Sequence, residues 1–114
     1  MSGFGLTIQE LEPGAVRFAL RGELDLAHAY TFDEELRAVE ESRPECVVLD
    51  LRQLTFLDSC GLARLLAARR RARRHGHRLL LVRGSAAVQR LFALAAVDEA
   101  FEMVNELPVA LSRR

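Results

Sequence analysis

A short polar turn between an apolar run and a helix leaves few folds open, and residues 47–74 are such a passage. Val47-Val48-Leu49-Asp50-Leu51 is dense in strand-forming side chains, and helical spacing runs from Leu62 to about Arg74. The segment Phe56-Leu57-Asp58-Ser59-Cys60-Gly61-Leu62 therefore joins a buried strand to the first turn of a helix. In an α/β sheet that junction lies at the carboxyl end of a strand, where ligand and partner sites collect. Asp58 and Ser59 can each offer an oxygen to the unpaired amides of the first helical turn. Gly61 lets another backbone or a partner come close, and the helix dipole makes the turn hospitable to an anion.

The rest of the chain arranges itself around this junction. Leu6 to Leu11 reads as a first strand and Pro13-Gly14 as a turn. Ala15 to Leu20 alternates, with Val16, Phe18 and Leu20 on one face, which predicts an antiparallel hairpin. Gly22-Glu23-Leu24-Asp25 closes that unit, and Asp25 can cap the helix after it. From about Ala27 to Ser42 the period becomes helical, with Ala29, Phe32, Leu36 and Val39 on one stripe and Pro44 as the stop. Cys46 to Leu51 is a near-continuous apolar run, as in a strand deep in a sheet or covered on both faces.

In the helix after the junction Leu62, Leu65, Leu66 and Ala72 share a side, Arg69 buries its stem in the same stripe, and Gly76 ends the helix. Leu79 to Val82 is a buried strand, Ser85 caps a helix with Val88, Leu91 and Phe92 inward, and Phe101 to Val104 is a short last strand. The stretch from Pro108 reads as a frayed tail or a short helix. The order β-β-α-β-α-β-α-β implies one α/β domain over residues 1–114, a mixed sheet with helices packed on it.

Charge and composition narrow the function classes. The 16 basic and 16 acidic side chains balance, which argues against a dedicated nucleic-acid binder. No run reaches the length of a membrane span, and Met1-Ser2-Gly3-Phe4 lacks a signal-peptide pattern, so a cytoplasmic protein without membrane insertion is expected. Cys46 and Cys60 flank the Val47 to Leu51 strand, whose ends stand about 17 Å apart, too far for a disulfide. Neither has a spaced partner for zinc, His28, His75 and His77 are not at ligand spacing with an acidic partner, and no cofactor is implied.

The motifs Gly22-Glu23-Leu24-Asp25, Val48-Leu49-Asp50-Leu51, Phe56-Leu57-Asp58-Ser59-Cys60-Gly61-Leu62 and Ser85-Ala86-Ala87-Val88-Gln89-Arg90-Leu91-Phe92, in this order and spacing, resemble the STAS domain of bacterial anti-sigma factor antagonists. The resemblance covers nearly the whole chain. It implies a non-catalytic regulatory module of transcription whose partner is an anti-sigma factor of the Ser/Thr kinase type. In that family the loop reads Asp-Ser-Ser-Gly-Leu or Asp-Ser-Thr-Gly-Leu, and the hydroxyl before the glycine receives the phosphate that releases the partner. The resemblance places that acceptor at Cys60, so this chain departs from the pattern there, and Ser59 corresponds to the neighbouring hydroxyl. The partner-binding residues so implied are Asp25, Asp58, Ser59, Cys60, Gly61 and Leu62.

Each singled-out residue also has a plainer reading. Cys60 fits as a small packed side chain, as loss of the switch, or as a redox-sensitive thiol that nearby Asp58 opposes. Ser59 fits as a cap or as a displaced phosphoacceptor. The run Arg69-Arg70-Arg71, Arg73-Arg74 with His75 and His77 fits the C-terminal end of a helix, where cations are favoured. A nucleophilic Cys60 on a strand–turn–helix elbow lacks a recognisable base. A second function class is an accessory subunit of a lipid or anion transport system, where a STAS domain docks without a phosphorylation cycle. The Cys60 departure favours that alternative.

Overall fold

The computed structural model of the chain describes residues 3–108. Strands β1 (Phe4–Glu12) and β2 (Ala15–Leu24) form the expected hairpin across Pro13-Gly14. After them come α1 (Ala29–Glu40), β3 (Cys46–Leu57), α2 (Ser59–His75), β4 (Arg78–Val82), α3 (Ala86–Leu94), a 3-10 turn at Asp98–Ala100 and β5 (Glu102–Val104). The sheet is mixed and five-stranded, in the order β1-β2-β3-β4-β5, with only β1 antiparallel to its neighbour. The expectation for residues beyond Pro108 lies outside the described residues.

Alternation along β3 decides which face is which. Val47, Leu49 and Leu51 share one core with Phe18 and Leu20 of β2, Phe32 and Leu36 of α1, Leu62, Leu65 and Ala68 of α2, and Val88 and Phe92 of α3. All three helices therefore cover the same face of the sheet. The intervening residues Cys46 and Val48 pack on the other face with Leu11, Ala15, Leu80 and Val82, against Val104 and Leu107. That second cluster holds no helical residue among the described ones, so the apolar run of β3 is buried on both sides but by different means.

Strand β3 is longer than expected. It continues past Leu51 to Leu57, pairing Gln53 and Leu54 with Arg21 and Gly22, and Phe56 and Leu57 with Glu23 and Leu24. The exposed Arg52, Gln53, Thr55 and Phe56 break the apolar pattern, yet the extension of β2 supplies their backbone partners. Gly22 is a residue of β2 at φ +83, and a Cβ there would lie 2.0 Å from the Gly3 carbonyl oxygen. The motif expected to follow the second strand therefore belongs to it as far as Leu24, with Gly22 placed where the β1 backbone leaves no room for a side chain.

Buried charges fix the layers. Asp50, 3% exposed, interrupts the apolar run and is held by Arg17 Nε at 3.0 Å and Arg52 Nη2 at 2.7 Å. Burial alone would raise its pKa, but the hydrogen bonds from Arg52 and Arg17 hold it below the usual carboxylate range. Between α1 and α2, Arg71 is also buried, with Nε donating to Glu40 Oε1 at 2.6 Å and Nη1 to Asp33 Oδ1 at 3.2 Å. Asp33 likewise stays below its ordinary pKa: the hydrogen bond from Arg37 and the charge of Arg71 outweigh its burial. Arg71 therefore ties two helices together, whereas its place in the arginine run suggests solvent. Arg69 is half-buried, as its stripe predicts, and its guanidinium donates to the Ala100 carbonyl.

Candidate functional site

Helix α2 begins at Ser59, three residues before the apolar periodicity starts, because Asp58 is its N-cap. Asp58 has extended backbone angles, and its carbonyl accepts the first helical bond from Leu62 N at 2.9 Å. Its Oδ1 accepts from Gly61 N at 3.0 Å, satisfying one of the orphan amides of the first turn. On sequence Ser59 is an equal candidate for that role. With the cap filled by Asp58, Ser59 becomes the first residue of the helix and is exposed.

The second oxygen of Asp58 works across the fold. Oδ2 accepts from Leu26 N at 3.2 Å, and Asp58 N donates to Leu24 O at 3.3 Å. One carboxylate thus joins the start of α2 to the segment between β2 and α1. Gly61 completes the join: a Cβ there would lie 2.3 Å from Leu24 O and 2.8 Å from Leu57 Cδ1. The close approach expected at Gly61 is made by the protein's own Leu24 backbone.

Asp25 sits in that same segment, next in the chain to both contacts of Asp58. Its Oδ1 accepts from His28 N at 3.2 Å and lies 2.7 Å from His28 Nδ1, while its carbonyl accepts from Ala29 N at 2.8 Å. Asp25 thus organises the approach to α1, although the helix proper begins at Ala29. The His28 ring also stacks on Phe4, centroids 5.6 Å apart. Spacing along the chain assigns His28 no acidic partner; the turn between β2 and α1 supplies one. Among the described residues no group of three His, Cys, Asp or Glu side chains is placed to hold a metal ion.

The structure brings Asp25, Asp58, Ser59 and Cys60 to one corner, with Ser59 exposed and Cys60 half-buried. Gly61 and Leu62, expected among the binding residues, are buried beneath them and shape the corner from below. Two residues that sequence reasoning passed over flank it. Leu26 is 67% exposed and Tyr30, in the first turn of α1, is 72% exposed. Only Tyr30 carried a signal, since it falls off the Ala29, Phe32 and Leu36 stripe that α1 buries; Leu26 is in step with that stripe but precedes the helix.

The two hollows described for the molecule lie away from the corner. A hollow of about 790 Å³ lies at the opposite end of the helices, lined by Glu40, Glu45, Arg71 and His77 among others, and one of about 710 Å³ lies over Gly3 to Gly5 and Arg21 to Glu23. Asp58, Ser59 and Cys60 line neither. Cys46 and Cys60 are both free thiols. Burial raises the Cys46 thiol pKa above its ordinary value. Among the described residues no helix is long and apolar enough to cross a membrane.

Fold and corner together define the class. The STAS domain family matches residues 9–110, and the chain belongs to that family. It is 29% identical over 99 residues to the anti-sigma-F factor antagonist RsfB of Mycobacterium tuberculosis, covering 87% of this chain and 80% of that protein. Its fold matches the crystal structure of an anti-sigma factor antagonist from Mycobacterium paratuberculosis with a TM-score of 0.80 at 24% identity, over 97% of this chain and 93% of that one. It also matches the anti-sigma factor antagonist SpoIIAA in its unphosphorylated form, with a TM-score of 0.76 at 18% identity and 90% of each chain. The phosphorylated form of the Bacillus SpoIIAA gives 0.69 at 18% identity, over 90% of this chain and 93% of that one.

Proposed function

We propose that this chain acts in the cytoplasm as a single-domain anti-sigma factor antagonist, binding a kinase-type anti-sigma factor through the Asp58–Ser59 corner without catalysing a reaction itself. The carrying observation is the double use of Asp58. Its carboxylate fixes both the start of α2 and the β2–α1 segment, leaving Ser59 displayed on a rigid exposed turn flanked by Asp25, Leu26 and Tyr30. The RsfB relationship supports the same reading.

In this reading Ser59 is the phosphoacceptor and Cys60 occupies the usual position. A phosphate adds about −1.5 to −2 charges at neutral pH. At an exposed helix N-terminus the fold tolerates it. It would join the carboxylates of Asp58 and Asp25 and oppose a docked partner, so binding would fall while the domain stayed folded.

The test is incubation of the purified chain with each kinase-type anti-sigma factor of its source organism and ATP, followed by phosphopeptide mapping. A complex before phosphorylation and a phosphate on Ser59 are expected, and Cys60→Ser should add a second acceptor. A complex whose loop stays unmodified would remove the switch but keep the antagonist. The Cys60 substitution also favours the second reading, an accessory subunit of a lipid or anion transporter. Pull-down from the native cell separates the two, yielding a kinase-like ATPase in one case and a membrane transporter in the other.

A further inference from the structure

The outward side of α2 changes character along its length. The helix carries six arginines and no acidic residue. Arg71 is buried on Asp33 and Glu40, and Arg69 is committed to the Ala100 carbonyl. Arg64, Arg70, Arg73 and Arg74 form no ion pair among the described residues. At about 3.6 residues per turn, Ser59, Ala63, Ala67, Arg70 and Arg74 fall on one stripe, with Arg73 beside it. Ser59, Ala63, Arg70, Arg73 and Arg74 are all exposed. The stripe is small-sided near Ser59 and cationic farther on. Complementing the helix dipole accounts for Arg73 and Arg74 in the last turn but not for Arg70, which lies before it.

We infer that this stripe is a two-part docking face. The small side chains of the first turns admit a partner backbone beside Ser59, and Arg70, Arg73 and Arg74 engage an acidic patch on the same partner. At about 1.5 Å per residue, that patch lies roughly 16–22 Å from the Ser59 contact. The inference rests on the proposed function and adds the partner's chemistry: the anti-sigma factor presents carboxylates at that distance. Charge placement favours an acidic protein patch over a nucleic acid. The whole chain balances 16 basic against 16 acidic side chains, so the free arginines make a local patch and not the extended basic surface that a nucleic acid requires.

The test measures binding of the full chain to the source organism's kinase-type anti-sigma factors at low and high salt. Arg70→Glu/Arg74→Glu is expected to weaken binding by about tenfold or more, mainly through slower association, and to flatten the salt dependence. Arg90→Glu, an exposed charge reversal on α3, should leave affinity unchanged. Circular dichroism should show both variants folded. An unchanged affinity and salt slope in the double variant would overturn the inference while leaving the proposed function intact. So would arginine-dependent binding of a DNA duplex or phosphatidylglycerol vesicles in place of an acidic partner. A wild-type chain that binds none of the anti-sigma factors would overturn the proposed function and the inference with it.

Discussion

One carboxylate with two duties makes Asp58 separable by substitution. Asp58→Ala removes the cap and the bond to Leu26 N. Loss of the cap should cost about 1 kcal/mol in urea denaturation. Affinity for the anti-sigma factor should fall further than that, because the corner loses its fixed relation to the β2–α1 segment; equal losses would make Asp58 a structural cap alone. Gly61→Ala tests the same join from beneath. Its Cβ would press on the Leu24 carbonyl, so a loss of about 1–3 kcal/mol is expected. The need for a cap and for a small residue here was legible in Asp58-Ser59-Cys60-Gly61. Which backbone came close was not, because Leu24 is distant in the chain and only the pairing of β2 with β3 delivers it. The exposed Ser59 is a consequence of competition: two residues could cap, one did, and the other was left facing outward.

Helices α1 and α2 are joined by an ion network whose members looked like surface charge. The apolar stripe of α1 was legible because Phe32 and Leu36 recur at helical spacing. Arg71 was hidden within the run from Arg69 to Arg74, since composition there points to solvent. Only the angular position of residue 71, facing α1, separates it from Arg70. Arg71→Ala would leave Glu40, 9% exposed, without its cation, while Asp33 would keep only Arg37. A loss of about 3–5 kcal/mol is expected by chemical denaturation. Arg70→Ala, one residue away and exposed, should stay within about 0.5 kcal/mol of wild type. Similar losses in the two variants would contradict the network. The length of β3 escaped the sequence for a related reason: strand pairing, not side-chain pattern, carries it from Leu51 to Leu57.

Across the whole molecule, the shifted groups give stability a direction with pH. Asp33 and Asp50 titrate below their ordinary values in the fold, so the unfolded chain takes up protons first as pH falls. Their contribution is complete above about pH 4 and is lost as pH drops through the lower folded values. His77 is lowered chiefly by burial, against the charge of Glu40, and its Nε2 is buried without a hydrogen-bond partner. The unfolded chain therefore binds that proton more readily below about pH 6.5, and stability should begin to decline there. Urea midpoints across pH should show both slopes, and His77→Gln should remove the upper one while leaving the lower.

The strand sequence across the sheet repeats the strand sequence along the chain. During synthesis each new strand can therefore be laid against an edge that already exists, with no gap held open for a later arrival. The central ribbon, which leads into the Ser59 corner, is laid down before α2, β4, α3 and β5 are made. Nascent chains arrested after residue 75, with that segment clear of the ribosome, should already protect the β2–β3 amides from hydrogen exchange, so that assembly proceeds from one margin to the other like a wall raised in courses.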